Sequence, residues 1–447
     1  MLSEYKIHAQ ETIKLAMPIA IGQLSHVMLG VVDSLMVGQI GAIPLAASAL
    51  VNGLFFLILI FGIGMTTAIT PLVAIKIGSK KNEECGIILR QALLVNIVFS
   101  VILMVCTYAF SEIIQFLNQP PEVVVYAQSY MKLLSYSILP FIIFQAYRSF
   151  IEGLSLTKPA MYINISANFV NAFLNWIFIF GNLGFPRMEL DGAGYATLFT
   201  RCFIAVTIFI YVINKNEFKQ YNPSLKFRGI NLPVIKKIIR IGLPTGFQMF
   251  FEVGAFSFSA IMIGWIGAKE LAAHQIAISL ASITFMFILG ISAAATIRVG
   301  NEVGRKDQTE LRKAGFTAII IAASIMAFFG SSFIALRNFL PTLFIDDVEV
   351  ISIAASLLIV AAFFQISDGV QALGMGVLRG MTDVKVPMYI AFVAYWMIGI
   401  PLGYVLGFVF NFGVVGIWVS LSIGLSTAAI LLSLRFNFNS KKLFKNK

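Results

Sequence analysis

Twelve stretches of this chain are each apolar over about the 20 residues a helix needs to cross a bilayer. They lie near 12–38, 44–75, 87–109, 122–145, 159–181, 192–213, 238–264, 271–297, 314–336, 348–375, 386–409 and 413–435. Within hydrocarbon every backbone N–H and C=O must be bonded internally, so only helices or closed barrels can cross. The runs are long and continuous, unlike the alternating segments of about ten residues in barrel strands. The sequence therefore predicts an all-α membrane protein with twelve transmembrane helices. Of the 447 residues, 59% are hydrophobic and 12% charged, against about 25% charged in soluble domains.

The basic residues orient the chain. Lys76, Lys80, Lys81 and Arg90 follow the second span, and Lys215, Lys219, Lys226, Arg228, Lys236, Lys237 and Arg240 the sixth. Arg298, Arg305 and Lys306 follow the eighth, and Lys441, Lys442, Lys445 and Lys447 close the tail. The opposite loops hold only Arg187, Lys269 and Arg337. Lysine and arginine stay in cytoplasmic segments, so both termini are expected there. The net charge of +11 is read as this topology signal, with no nucleic-acid partner. Residues 1–11 are polar and lead straight into a span, so no cleavable signal peptide is expected. Cys85, Cys106 and Cys202 are scattered, with no metal or disulfide spacing.

The chain repeats itself. Pro18 recurs as Pro244, an offset of 226 residues, and the same offset aligns Val37-Gly38-Gln39-Ile40-Gly41-Ala42 with Ile263-Gly264-Trp265-Ile266-Gly267-Ala268. It also aligns Gly64 with Gly290, and an offset of 227 aligns Gly153, Lys158, Met161 and Tyr162 with Gly380, Lys385, Met388 and Tyr389. Each half then holds six spans. Halves with the same orientation are related by a pseudo-two-fold axis along the membrane normal. The expected division is an N-lobe at 1–213, a cytoplasmic linker at 214–237 and a C-lobe at 238–447. Pro18 and Pro244, inside the first and seventh spans, are expected to bend their helices.

Three acids interrupt the apolar runs: Asp33, Glu252 and Asp368. A carboxylate at that depth costs about 2.5–3.5 kcal/mol on the mildest scale, so such residues usually line ion or substrate paths. The repeat fails at them, because Asp33 aligns with Ser259 and Glu252 with His26. Departures from internal consistency tend to fall at functional sites. Gln248 lies one turn before Glu252, and Gln365, Asp368 and Gln371 form one stripe. Asn164, Asn168, Asn171 and Asn175 form another, and Gln23 and His26 share a face with Asp33. Such stripes face a partner helix or a wet cavity. The three acids are expected to meet in one cavity. Lys132 and Arg201 also fall inside spans, where each either snorkels toward headgroups or faces a cavity. His274 is read as a bonded structural histidine. Arg148, Glu152, Arg379 and Asp383 are read as ion pairs or anchors at cytoplasmic helix ends.

The sequence has no Gly-x-x-x-x-Gly-Lys-Ser/Thr loop, hence no nucleotide engine, and no convergent nucleophile or metal motif for an enzyme. Energy must come from an ion gradient or downhill flow. Carboxylates suit a proton or a hard cation.

These residues resemble the multidrug and toxic compound extrusion (MATE) family, in its NorM-type bacterial branch. The matching stretches are Leu29-Gly-Val-Val-Asp33-Ser-Leu-Met-Val-Gly, Phe150-Ile-Glu-Gly-Leu-Ser-Leu-Thr-Lys-Pro159-Ala-Met, Asn175-Trp-Ile-Phe, Phe251-Glu252-Val, Ala272-Ala-His-Gln275 and Leu378-Arg-Gly. The resemblance implies a secondary active exporter that takes Na⁺ or H⁺ inward and drives organic cations outward by alternating access. It maps the family's C-lobe cation-site acids to Glu252 and Asp368, joined here by Gln248 and Gln371. Its N-lobe acid maps to Asp33, with Asn171 and Asn175 nearby, as a substrate or proton site. Some NorM-type relatives carry Tyr one turn before the tenth-helix acid, where this chain has Phe364, so one possible ligand hydroxyl is missing. The expectation is a monomer in a bacterial inner membrane, with cationic drugs as substrates, no cofactor beyond the coupling ion and no enzymatic activity. The alternative, a flippase for a lipid-linked saccharide, would want a cavity rich in basic side chains, whereas the embedded ionisable groups are mostly acidic.

Overall fold

A computed structural model of the chain describes residues 2–223 and 229–443. Lys226, Arg228, Lys445 and Lys447 lie outside the described residues. The helices are α1 (Leu2–Gly38), α2 (Ala42–Thr67), α3 (Ile69–Gly78), α4 (Glu84–Ser111), α5 (Pro121–Tyr136), α6 (Ile138–Gly153), α7 (Lys158–Phe178) and α8 (Glu189–Asn214). They continue as α9 (Leu232–Ile266), α10 (Ala268–Arg305), α11 (Gln308–Leu336), α12 (Val348–Gly380), α13 (Lys385–Phe392), α14 (Ile400–Tyr404) and α15 (Gly413–Lys442). Among the described residues, 10 helical runs are long and apolar enough to cross a membrane. Two expected spans fall outside that set. One is broken between α5 and α6. The other is α7, whose four asparagines lower its hydropathy.

Two of the expected continuous spans are interrupted, and local hydrogen bonds explain where. Before the break at Ala68, the hydroxyls of Thr66 and Thr67 donate back to the carbonyls of Ile63 and Gly64, each at 2.7 Å. At the α5–α6 break Ser137 donates to Leu134 O at 2.6 Å. Such back-bonding competes with the helix ladder and bends it. The span Lys385–Val409 carries wide π-type turns at Val393–Gly399 and Val405–Val409, a feature that often marks functional segments. Outside the spans, Asp307 and Asp347 cap α11 and α12 by accepting from Glu310 N and Glu349 N, satisfying donors that a helix start leaves free.

Packing divides the chain into two units: Ile21–Gly246, here the N-terminal unit, and Met1–Ala20 with Phe247–Lys447, the C-terminal unit. This differs from the division at 214–237 expected from the repeat. The first part of α1 packs in the C-terminal unit, and the first part of α9 in the N-terminal unit. The two exchange points, after Ala20 and after Gly246, are themselves one repeat apart, and each lies two residues beyond a proline. Pro18 and Pro244 sit inside helices that continue past them.

Glycine makes the exchange possible. A Cβ on Gly64 would fall 2.3 Å from Gly246 Cα, and one on the equivalent Gly290 would fall 2.7 Å from Ala16 O. Only a residue without a side chain lets backbones approach so closely. In the C-terminal unit α12 packs against α10, α11 and α15. Ser292 and Thr296 of α10 donate to the carbonyls of Ala372 and Gly376 at 2.8 Å each. α12 is thus enclosed by its neighbours, and Asp368 on it is only 6% exposed.

Candidate functional site: two polar centres in two units

The C-terminal unit gathers the first centre from α9, α12 and the Val393–Gly399 turn. Gln248 and Gln371 flank the Glu252 carboxyl, and Arg379 lies within its electrostatic reach. Asp368 feels the Glu252 charge, and the Tyr395 hydroxyl feels both acids. Gln248, Glu252 and Ser259 fall on one face of α9 because they are spaced by four and seven residues. Trp396 Nε1 donates to Phe251 O at 2.9 Å, fixing that face of α9 against the π-type turn. Gln365 donates to Thr284 Oγ1 at 2.7 Å.

What this centre lacks is as informative. Both amide atoms of Gln371, Oε1 of Gln365, the Tyr395 hydroxyl, the Ser259 hydroxyl and Nε of Arg379 are buried without an aligned hydrogen-bond partner. Buried polar groups are ordinarily bonded, and each exception asks for a reason. Gln248, Gln371 and the Tyr395 hydroxyl lie by Glu252, and with the two carboxylates they bring oxygens of the kind a hard cation prefers. Among the described residues no cluster of three or more His, Cys, Asp or Glu forms. Any further ligands must therefore be neutral oxygens.

The second centre lies in the N-terminal unit. Asp33 is 8% exposed, and Asn175 Nδ2 donates to its Oδ1 at 2.6 Å and to Asn171 Oδ1 at 3.1 Å. Asn171 and Thr197 also approach the Asp33 carboxyl. Yet Asn171 Nδ2, Asn175 Oδ1 and the Thr197 hydroxyl have no aligned partner. Asn168 of the same stripe donates to the backbone oxygen of Ser25 at 3.0 Å and to its hydroxyl. The stripe thus splits: Asn168 ties α7 to α1, while Asn171 and Asn175 attend the acid.

A cavity opens in the same unit, lined by His26, Gln145, Arg148, Thr197, Thr200 and Arg201 among others. Arg148 is paired with Glu152 at 2.7 Å, as expected for the helix-end charges. Arg201 takes the cavity-facing one of its two expected placements. Its guanidinium faces this cavity, donates to Ser137 Oγ at 2.7 Å and lies over the rings of Phe55 and Phe141 at 5.1 and 4.8 Å. Lys132 does reach outward, pairing with Glu112 at 2.6 Å. His274 accepts from Trp418 Nε1 at 3.1 Å, the structural role expected of it.

Glu252, Asp368, Gln248 and Gln371 therefore come together, as do Asp33, Asn171 and Asn175. The two sets belong to different units. Two participants escape a sequence reading. Asp383 pairs with Arg435 and Asn439, whereas Arg379 turns toward Glu252. The signal was available, since Arg379 is eleven residues from Asp368 and so on its helical face. Tyr395 sits in a π-type turn, where sequence spacing no longer fixes direction. It brings a hydroxyl to the acids, while Phe364 packs its ring against Phe256 and Trp418.

Comparison with known proteins agrees with this layout. The family model MatE matches twice, at residues 18–177 and 244–405, starting at the two repeat-related prolines. A probable multidrug resistance protein NorM of Mesorhizobium japonicum is 37% identical over 95% of this chain and 92% of its own length. The multidrug resistance protein NorM of Vibrio vulnificus is 32% identical over 98% of this chain and 97% of its own. Among solved structures, the eukaryotic MATE transporter AtDTX14 superposes with a TM-score of 0.88 at 20% identity, covering 99% of both chains. An outward-facing MATE family transporter superposes at 0.87, again at 20% identity, covering 98% of this chain and 97% of its own. The chain belongs to the MATE family, a family of membrane transporters and not of enzymes, and the two relatives named by sequence are NorM proteins.

Proposed function

We propose that this chain is a secondary active multidrug exporter of a bacterial inner membrane, with both termini cytoplasmic. It takes a cation inward at Glu252 and Asp368 and moves organic cations outward. The observation that carries this reading is the pair of acids that feel each other's charge, beside oxygen atoms that lack a partner. Two carboxylates side by side repel unless a proton or a metal cation joins them. An arriving cation relieves that repulsion and gives Gln371 Oε1 and the Tyr395 hydroxyl a partner. When the cation leaves, the cost returns. Binding and release can thus bias which side of the membrane the site faces. Asp33 with Asn171 and Asn175 is the place for a drug's positive group or a proton. The relatives named above as multidrug resistance proteins support the export reading.

The flippase reading requires several free basic side chains for a pyrophosphate. The N-terminal cavity offers two arginines, and Arg148 is neutralised by Glu152. One free guanidinium is too few.

Ethidium efflux from right-side-out vesicles tests the proposal. A Na⁺ gradient and then a pH gradient are imposed on wild type and on Asp368→Asn. Efflux driven by one of the gradients in wild type, and lost in Asp368→Asn at equal expression, supports it. Normal efflux in the variant removes the C-terminal centre from the cycle.

A further inference from the structure

We propose that Arg379 is a resident counter-charge of the C-terminal centre: its guanidinium weakens the hold of Glu252 and Asp368 on the coupling cation, so that a bound ion can be released. The inference rests on the export reading above and adds the residue that sets how tightly the site holds its ion.

Placement on α12 is the first ground. Asp368, Gln371, Met375 and Arg379 fall on one face of the helix, with Arg379 about 16 Å along the axis from Asp368. Glu252 is flanked by Gln371 and lies in reach of Arg379, whereas Asp368 feels Glu252 alone. Close packing on α10 fixes the rotation of α12. A Cβ on Gly376 would fall 2.7 Å from Ser292 O, and one on Gly380 would fall 2.8 Å from Thr296 O. Gly376 and Gly380 therefore face α10, and Arg379 stays on the face of the acids.

The lack of a partner is the second ground. Arg148, Arg298 and Arg435 each bind a carboxylate at 2.7 Å. Among the described residues Arg379 forms no ion pair, and its buried Nε has no aligned partner. An arginine stays charged, so this charge acts on its surroundings without a bound acid to cancel it. The repeat gives a third ground. At the offset of 227, Arg379 aligns with Glu152 and Met375 with Arg148. Where the N-terminal unit holds a closed ion pair, the C-terminal unit keeps a lone cation near its acids. The internal symmetry fails here as it fails at the acids themselves.

An ion site on a transport path must bind strongly enough to load and weakly enough to unload. Two carboxylates with nothing to oppose them favour loading. A fixed positive charge near Glu252, yet beyond ion-pair distance, subtracts from their attraction without occupying the site. It does so for Na⁺ and for H⁺ alike.

The alternative is that Arg379, in the last turn of α12, only complements the helix dipole. Titrations of the purified full-length chain with Na⁺ and with H⁺, followed by tryptophan fluorescence, decide between them. Trp396 adjoins the centre through its bond to Phe251 O. For whichever ion wild type binds, Arg379→Gln should bind about tenfold more tightly. Arg379→Lys keeps the charge and should stay within about threefold of wild type. Arg379→Met, with the same expected gain as the glutamine variant, serves if that variant does not fold. Unchanged or weaker binding in the neutral variant, or an equal gain in Arg379→Lys, overturns the counter-charge. Wild type that binds neither ion overturns the export reading and the counter-charge together, so the two failures are told apart.

Discussion

The two units treat their acids differently. In the N-terminal unit Asp33 already accepts a 2.6 Å bond from Asn175, which is itself held by Asn171. The carboxylate is presented with amide donors before any ligand arrives. In the C-terminal unit Glu252 and Asp368 share one neighbourhood, and the side chains around them have atoms with no partner. A donor-rich setting stabilises a carboxylate on its own. An acid pair beside oxygens that lack a partner, with Arg379 in reach of Glu252 alone, gains most when something positive joins both acids. The first kind of centre suits recognition of a varied positive group, and the second suits a coupling ion whose arrival and departure must matter energetically.

Substitutions in the second centre should break this contrast most visibly. Removing one of two adjacent charges in Asp368→Asn or Glu252→Gln forfeits about 1–4 kcal/mol of attraction for a cation, or about tenfold to a thousandfold in affinity. Cation-dependent fluorescence quenching of the purified protein measures this. An affinity unchanged in both variants would erase the distinction between the centres. In the first centre, Asn175→Ala removes a bond to a charged group worth about 1.5–3 kcal/mol. Drug export should weaken while cation dependence persists. Loss of cation dependence in that variant would mean that the two centres do not divide the work.

The repeat-related glycines sharpen the comparison at the level of scaffold. Gly64→Ala places a methyl against the Gly246 backbone, which cannot yield, whereas Gly290→Ala meets Ala16 O and the Ala20 side chain at longer distances. Overpacking of this kind costs about 1–3 kcal/mol. Gly64→Ala should therefore lower the thermal unfolding temperature more than Gly290→Ala, and the reverse order would contradict the packing described. The smallest effect is expected from Tyr395→Phe. A neutral hydrogen bond is worth about 0.5–1.5 kcal/mol, so cation affinity should fall only a few-fold. Titration with either candidate ion measures it.

Much of the architecture was legible because bilayer physics leaves few choices. Apolar length gave the helices, and the 226-residue offset anticipated the two matches to one family model. The polar stripes on α7, α9 and α12 named most members of both centres through helical spacing alone. Other features depend on three-dimensional context. The exchange of α1 and α9 segments between units arises from close contacts at Gly64 and Gly290 that no linear pattern announces. Ser137 breaks a span by bonding to Leu134, and the same hydroxyl then receives Arg201. That placement decides between the two readings of Arg201, a snorkelling charge or a cavity wall. Tyr395 depended on a π-type turn. Phe364 brings no hydroxyl, and only the fold shows a tyrosine, Tyr395, near the acids.

Direct binding of Na⁺ and of H⁺ to the purified chain tests the central claim most sharply, with wild type compared against the double variant Glu252→Gln with Asp368→Asn. Saturable binding of one of these ions to wild type, absent from the double variant while Asp33 is intact, is the predicted result. Undiminished binding in the double variant would place the coupling ion elsewhere and contradict the account.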